Sequence, residues 1–149
     1  MDTDERKYYF AYGSNIIMAD MELRCPEAFF VQTEKIEGYR FIVNELGYGT
    51  IVKNRDSCVY GILWSITKKD EEALDAYEGM DEGLYKKEEF FFNTLSRGKV
   101  PGLVYIAINQ KPGIARKEYI EKIVASARRL DFSGDYIREL KRWQRESFF

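Results

Sequence analysis

The chain has 149 residues, of which 45% are hydrophobic and 15% are aromatic. A globular domain of this length buries roughly two-thirds of its unfolded surface, so we expect one domain over 1–149 with a substantial core. The net charge is −2, and the basic residues near the C-terminus are interleaved with Asp and Glu. This pattern lacks the basic stripe that follows nucleic-acid phosphates, so we expect no nucleic-acid partner.

The sequence also lacks long apolar stretches and histidine, which limits where we expect the protein to be located and what kind of site it can have. No apolar stretch approaches the roughly 20 residues that span a bilayer, and residues 1–7 are charged where a secretory signal would be apolar, which predicts a cytoplasmic protein that does not enter a membrane. The chain has no histidine, the commonest general base and zinc ligand. Its two cysteines, Cys25 and Cys58, are expected to be buried free thiols. We therefore expect no metal and no cofactor.

The first half of the chain has mostly strand composition. Its turns are marked by Gly, Pro and Asn, and its strands by apolar and aromatic runs. In chain order we predict a strand over 7–12, a short helix over 15–24 stopped by Pro26, β-rich runs over 28–33 and 39–45, a turn at 47–49, and strands over 50–53 and 58–66 joined by a polar turn at 54–56.

The second half mixes helices and strands. Thr67-Lys68-Lys69-Asp70 has the form of a capping box and predicts a helix that ends at Gly79. Several strands with helices between and after them favour an α+β domain with a curled, barrel-like mixed sheet and flanking and C-terminal helices. The remaining predicted elements are strands over 85–94 and 100–108 around a turn at 96–98, a loop at 110–113, a helix whose Ile120, Ile123, Val124 and Ala127 share one face, and a last helix marked by Tyr136, Leu140 and Trp143.

The first candidate binding element is the turn Gly13-Ser14-Asn15 at the end of the first strand. Gly13 has no Cβ, so it can adopt a strained turn and let a ligand approach the backbone closely. Consecutive N–H groups at a strand-to-helix turn, together with the helix dipole, favour a carboxylate or a developing oxyanion. The alternative is that Ser14 or Asn15 only caps the following helix.

The second candidate element is Glu78, at the C-terminal end of the helix that begins after Thr67. The negative end of the helix dipole and the apolar neighbours of Glu78 both raise the pKa of its carboxyl, which suits a group that accepts and returns a proton. Asp75 shares much of the same helical face and is the rival acid. The alternative is that Glu78 is one more exposed glutamate in the acidic stretch 70–82.

The two elements occur together as Tyr-Gly-Ser-Asn at 12–15 and Leu-Asp-Ala-Tyr-Glu-Gly at 74–79, followed by Tyr85. In this order and spacing they resemble the hallmarks of the γ-glutamylcyclotransferase-like family, also called AIG2-like. The strand at 59–64 and the segments 102–105 and 112–119 are similar to later parts of the family pattern, although the last has a longer spacing here. The resemblance runs from Tyr9 to Tyr119.

The resemblance implies an enzyme in which the α-amine of a γ-glutamyl group attacks its own γ-carbonyl, closing 5-oxoproline and releasing an amine or amino acid. It implies Glu78 as general base and then general acid, no metal, and a small γ-glutamyl compound as partner. Tyr85, Tyr105 and Tyr119 are implied as pocket hydroxyls or walls, with ordinary aromatic core as the alternative. The implied substrate-binding residues are Tyr9, Phe10, Ala11, Tyr12, Gly13, Ser14, Asn15, Tyr85, Tyr105 and Tyr119.

Two alternatives to this function stay open. Proteins of this fold also process γ-glutamyl amines or remove a γ-glutamyl protecting group in a biosynthetic pathway, so the motifs do not fix the leaving group. The second alternative is that the chain is a binding module that retains the pocket without turnover. An intact Glu78 counts against that alternative.

Overall fold

A computed structural model describes residues 5–146 of the chain. These residues form five strands and four α-helices, with a short 3₁₀ turn after the first strand. The elements are, in order, β1 (Lys7–Ala11), the 3₁₀ turn (Ser14–Ile16), α1 (Met18–Arg24), β2 (Phe29–Val43), β3 (Gly49–Ile66), α2 (Lys68–Tyr77), β4 (Tyr85–Thr94), β5 (Gly98–Ala107), α3 (Lys117–Arg129) and α4 (Gly134–Glu146).

The strands form one mixed sheet in the order β2-β3-β1-β5-β4. β1 pairs in parallel with β5 and antiparallel with β3, and the other pairs are antiparallel. The sheet curls until its two edge strands come into contact. The rings of Tyr39 on β2 and Phe90 on β4 have centroids 5.3 Å apart. The side-chain amide of Gln32 also donates to the carbonyl of Asn93 at 3.0 Å. The predicted α+β fold with a curled mixed sheet is confirmed.

The core lies around β1 and under the C-terminal helices. Tyr9, Phe10 and Ala11 are all buried, and Phe10 stacks on Phe92 of β4 with centroids 5.2 Å apart. The predicted apolar face of α3 is confirmed, since its four residues at positions 120, 123, 124 and 127 are buried. Because both edges of β1 pair with other strands, its position fixes where the chain leaves the sheet.

The predicted division of the long hairpin is wrong. The runs over 28–33 and 39–45 belong to the single strand β2, and those over 50–53 and 58–66 belong to β3. Residues 54–57 form a bulge, because the partner of Tyr39 is Lys53 whereas that of Glu37 is Cys58. The N–H of Asp56 donates to the side-chain carbonyl of Asn54 at 3.1 Å, so the local turn chemistry is present without reversing the chain.

The predicted start of α2 is confirmed, whereas the helix predicted around α1 is wrong. The capping box of α2 is confirmed, with reciprocal bonds between Thr67 and Asp70 of 3.2 and 3.1 Å. The single helix predicted over 15–24 is wrong, because Ile17 is extended and separates the 3₁₀ turn from α1.

Both cysteines are free thiols. Cys25 is buried as expected, but Cys58 lies at the bulge of β3 and is partly exposed, so the prediction of its burial is wrong. Across residues 5–146, no helix is long and apolar enough to cross a membrane.

Candidate active site

A cavity of about 190 Å³ lies where the chain leaves β1. Its wall combines the turn after β1, the loop before β3, the end of α2, the starts of β4 and α3, and part of β5. The lining residues are Tyr9, Phe10, Tyr12, Gly13, Ser14, Asn15, Gly47, Tyr48, Gly49, Tyr77, Glu78, Tyr85, Tyr105, Arg116 and Tyr119.

The cavity brings together the candidate residues from both sequence motifs. Glu78 and the proposed binding residues line it, with the exception of Ala11. Ala11 is part of the buried core, with 1% of its surface exposed, so its prediction as a binding residue is wrong. Tyr85, Tyr105 and Tyr119 line the cavity as well as packing in or against the core.

The three residues of the turn line the cavity, and their backbone donors are unpaired among residues 5–146. Within the described residues, the N–H groups of Gly13, Ser14 and Asn15 find no protein acceptor. Gly13 has φ −108° and ψ −128°, so it does not adopt the left-handed conformation that favours glycine. Close approach explains the glycine instead, because a Cβ on Gly13 would lie 3.3 Å from the hydroxyl oxygen of Tyr119.

The side chains of the turn anchor it rather than cap a helix. Neither Ser14 nor Asn15 caps the 3₁₀ turn or α1, so that alternative is wrong. Asn15 is 2% exposed, its Nδ2 donates to the Tyr9 hydroxyl at 2.9 Å, and its Oδ1 accepts from Arg24. The Ser14 hydroxyl lies 2.9 Å from the hydroxyl of Tyr77. These bonds hold the turn against β1, α1 and α2.

Glu78 ends α2 inside the cavity. Its N–H donates to the carbonyl of Leu74 at 2.8 Å, and Gly79 follows with φ +67°, which turns the chain away from the helix. In the described part of the chain, its carboxylate makes no hydrogen bond or ion pair. Burial raises the pKa of Glu78 to about 7, and the guanidinium of Arg24 partly opposes that rise. The alternative of an ordinary exposed glutamate is therefore wrong.

Asp75 has a different environment from Glu78, although it is only three residues earlier. Its Oδ1 accepts from the Tyr105 hydroxyl at 2.6 Å and lies 2.9 Å from Lys87 Nζ. Lys87 also pairs with Glu71 at 2.7 Å. Asp75 is committed to an ion-pair network behind Tyr105 and does not line the cavity, whereas Glu78 lines it without a partner.

The tyrosine hydroxyls fix the other walls. The Tyr12 hydroxyl donates to the carbonyl of Tyr105, and the Tyr85 hydroxyl donates to the carbonyl of Gly49, both at 2.5 Å. Burial raises the pKa of Tyr12, Tyr85 and Tyr119, so these phenols stay neutral. The walls therefore present neutral aromatic rings around one titrating carboxyl.

Sequence reasoning missed the loop at 47–49 and the two arginines near the cavity. The loop was predicted only as a turn, yet a Cβ on Gly49 would collide with the Tyr119 hydroxyl. Arg116 lines the cavity with its guanidinium 5.7 Å from the Tyr119 ring centroid, and Arg24 stacks on Tyr77 at 3.6 Å. The glycines on either side of Tyr48 were the available signal for the loop, whereas no local pattern marked either arginine.

The model of the AIG2-like family matches residues 58–140, which is more than half of the chain. The chain belongs to the AIG2-like family. The matched segment contains Glu78, Tyr85, Tyr105 and Tyr119 of this AIG2-like chain, and the turn at 12–15 lies outside it. The family resemblance expected from the sequence is confirmed.

Two curated relatives and one solved structure extend the comparison. The mouse protein named gamma-glutamylcyclotransferase is 24% identical over 143 residues, covering 89% of this chain and 76% of that protein. The human protein of the same name is 25% identical over 149 residues, covering 93% and 79%. A solved structure named gamma-glutamyl cyclotransferase aligns with a TM-score of 0.81 at 24% identity, covering 92% of this chain and 87% of that one, which shows a shared fold.

No metal centre accompanies the cavity in the described range 5–146. No group of three or more Cys, Asp or Glu side chains there is arranged to hold an ion. The residues that line the cavity offer a carboxyl that can carry a proton, hydrogen-bonding groups of the turn and the tyrosines, and the positive charge of Arg116.

Filling the space beside Gly13 should block the cavity. The branched side chain of Gly13→Val would project toward the Tyr119 hydroxyl, and we expect at least a tenfold weaker affinity for 5-oxoproline, the implied product, by calorimetry, with a smaller loss for Gly13→Ala. Equal affinity in a folded Gly13→Val protein would mean that the turn does not contact the ligand.

The raised pKa of Glu78 predicts a pH-dependent stability difference. A rise from 4.5 to about 7 means that the folded state is destabilised by about 3 kcal/mol when the carboxyl is ionised. The cost is absent below about pH 4.5, grows as the pH rises toward 7 and is complete above it. We expect Glu78→Gln to have a higher melting temperature than the wild type at pH 8 and the same one at pH 4. Glu72→Gln, at an exposed position of α2, is the control and should show no such divergence.

Proposed function

We propose that this protein converts a γ-glutamyl compound to 5-oxoproline and a free amine. The observation that carries the proposal is the partnerless, partly buried carboxyl of Glu78 in the same cavity as the free N–H groups of residues 13–15. The relatives named gamma-glutamylcyclotransferase in mouse and human support it at the family level.

The reaction needs no nucleophile from the protein. The α-amine nitrogen of the substrate forms a bond to the γ-carbonyl carbon, and the bond from that carbon to the leaving nitrogen breaks. Binding the glutamyl chain in a folded conformation makes the attack intramolecular, which is the main way that a site without histidine accelerates it. A small cavity with rigid aromatic walls suits this task.

Glu78 moves the proton in this proposal. Its carboxylate takes a proton from the substrate ammonium group as the amine attacks, and the resulting acid gives that proton to the leaving nitrogen. The attacking nitrogen loses a second proton as the lactam closes, and the released amine takes it up and departs as an ammonium ion. A pKa of about 7 keeps both forms accessible near neutral pH, and one residue can therefore be base and then acid. The committed ion pairs of Asp75 disfavour it as the alternative.

The turn supplies hydrogen-bond donors for the negative charge of the substrate. Its N–H groups at Gly13, Ser14 and Asn15 donate either to the carboxylate of the glutamyl group or to the oxygen that gains negative charge during attack. Donors that are already oriented need no reorganisation during the reaction. The bonds of Asn15 to Tyr9 and Arg24 favour this role because they keep the turn fixed.

Arg116 adds a cation at the exposed rim. In the described chain, its guanidinium has a ring contact with Tyr119 and no ion pair. When the leaving group is an amino acid, its carboxylate remains near the scissile amide and would pair with this guanidinium. An amine leaving group lacks that charge. The position of Arg116 therefore favours γ-glutamyl amino acids.

Loss of the proton carrier should stop turnover with little change in binding. Glu78→Gln keeps the shape of the side chain but cannot cycle a proton, so we expect kcat for 5-oxoproline release to fall by roughly 10² to 10⁴. Asp75→Asn retains an acceptor for Tyr105 and is expected to lower kcat less than about tenfold. Near-normal turnover by Glu78→Gln, or an equal loss in Asp75→Asn, would refute the assignment. A wild type that binds γ-glutamyl compounds without releasing 5-oxoproline would indicate a binding module.

The role of Arg116 can be tested with two substrates that differ by one carboxylate. We expect Arg116→Ala to raise KM for γ-glutamylalanine by roughly tenfold, and less at high salt, while leaving KM for γ-glutamylethylamine unchanged. Lys111→Ala is the control, because it removes an exposed positive charge that does not line the cavity. Equal effects on both substrates would show that Arg116 does not contact the leaving group.

A further inference from the structure

Arg24 does not line the cavity, but it contacts residues from two of the cavity walls. It is the last residue of α1, and its guanidinium donates to the side-chain oxygen of Asn15 in the turn. The same guanidinium lies 3.6 Å from the ring centroid of Tyr77, the residue that immediately precedes Glu78. A planar guanidinium can bond in its plane while it stacks on a ring, so one side chain holds both walls.

The two walls have few other connections at this point. The Ser14 and Tyr77 hydroxyls are 2.9 Å apart, and this contact is on the exposed side. The partners of Asn15 on its other side are Tyr9, at 2.9 Å, and the indole of Trp64, whose Nε1 donates to the Asn15 carbonyl at 3.2 Å. These bonds tie the turn to the sheet. Among residues 5–146, the hydrogen-bonding and stacking contacts between the turn and the end of α2 are therefore those of Arg24 and one exposed hydroxyl pair.

Arg24 is also the counter-charge for Glu78. Among the groups that shift the pKa of Glu78, burial raises it and Arg24 is the cation that lowers it. Arg116 is a second cation in the lining of the same cavity. In the described part of the chain, the other titratable groups that interact with Glu78 are phenols, which are neutral at physiological pH. They are Tyr9, Tyr12, Tyr85 and Tyr119, from β1, the segment after it, β4 and α3.

We propose that Arg24 is a positioning residue for the reaction: its guanidinium holds the turn at 13–15 at a fixed separation from Glu78, and its positive charge favours the ionised form of that carboxyl. Arg24 does not line the cavity, so it acts through Asn15, Tyr77 and Glu78 rather than on the substrate. The catalytic part of this proposal rests on the proposed function, whereas the electrostatic part concerns the protein alone.

Two substitutions separate geometry from charge. Arg24→Lys keeps the charge but loses the planar stack and the directed bond to Asn15, so we expect kcat to fall roughly tenfold to a hundredfold with the pH profile of kcat/KM in place. Arg24→Met also loses the charge. We expect the acidic limb of its kcat/KM–pH profile to move to higher pH, because without the cation the carboxyl of Glu78 holds its proton more strongly.

Arg6→Met is a matched control for this pair. Arg6 also stacks on an aromatic ring, that of Phe29 at 4.3 Å, and donates to a backbone carbonyl, that of Glu27 at 2.5 Å, but it does not line the cavity. We expect it to lower the melting temperature without moving the acidic limb. A purely structural role for Arg24 would make Arg24→Met behave like Arg6→Met, and that result would overturn the proposal.

The titration of Glu78 tests the electrostatic part without turnover. Carbon-13 NMR of the side-chain carboxyls, with the Glu78 resonance assigned by its loss in Glu78→Gln, should give a higher pKa in Arg24→Met than in the wild type or Arg24→Lys. Arg24→Gln replaces Arg24→Met where the latter does not fold. An unchanged titration would overturn the inference. Absence of 5-oxoproline release by the wild type would overturn the proposed function and the catalytic part, while the titration would still decide whether Arg24 controls Glu78.

Discussion

The placement of β1 between β3 and β5 constrains the rest of this structure. β1 is paired on both edges, and Tyr9, Phe10 and Ala11 are buried, so the strand cannot shift without disrupting the sheet. Its end delivers the turn at 13–15 to the point where α2 ends and α3 begins. Strand pairing therefore gives a surface turn the fixed position that a binding site needs.

The electrostatic character of the cavity depends on the different environments of Asp75 and Glu78 at the end of α2. Asp75 has its charge compensated by Lys87 and a hydrogen bond from Tyr105, and it supports the wall. Glu78 has neither kind of partner among the described residues, and burial raises its pKa to about 7. Burial without compensation is unfavourable for folding but useful for proton transfer, because the group then changes its charge near neutral pH. Arg24 limits that cost while remaining outside the cavity.

Elements with strong local signals were predicted well. The capping box before α2, the strand β4 and the apolar face of α3 depend on neighbours in sequence, and each lies where its pattern indicates. The polar residues 54–56 were predicted as a turn between two strands, but they lie within the bulge of β3. Their local hydrogen bonding is turn-like, but pairing with β2 resumes on both sides of them and makes them a bulge. Long-range pairing thus overrode a correct local preference.

The sequence alone was enough to predict the family, the α+β fold with its curled sheet, and most of the residues that line the candidate site. The absence of histidine left carboxylates, tyrosines, lysines and backbone groups as candidates for any catalysis, and the two motifs drew attention to Glu78 and the turn at 13–15. The folded structure was needed to show which acid lacks a partner, which tyrosines line the cavity, and where Arg24 and Arg116 lie relative to it. The reason is physical: a pKa shift depends on burial and on charges brought close by folding. These neighbours come from separate elements, so no local pattern encodes them.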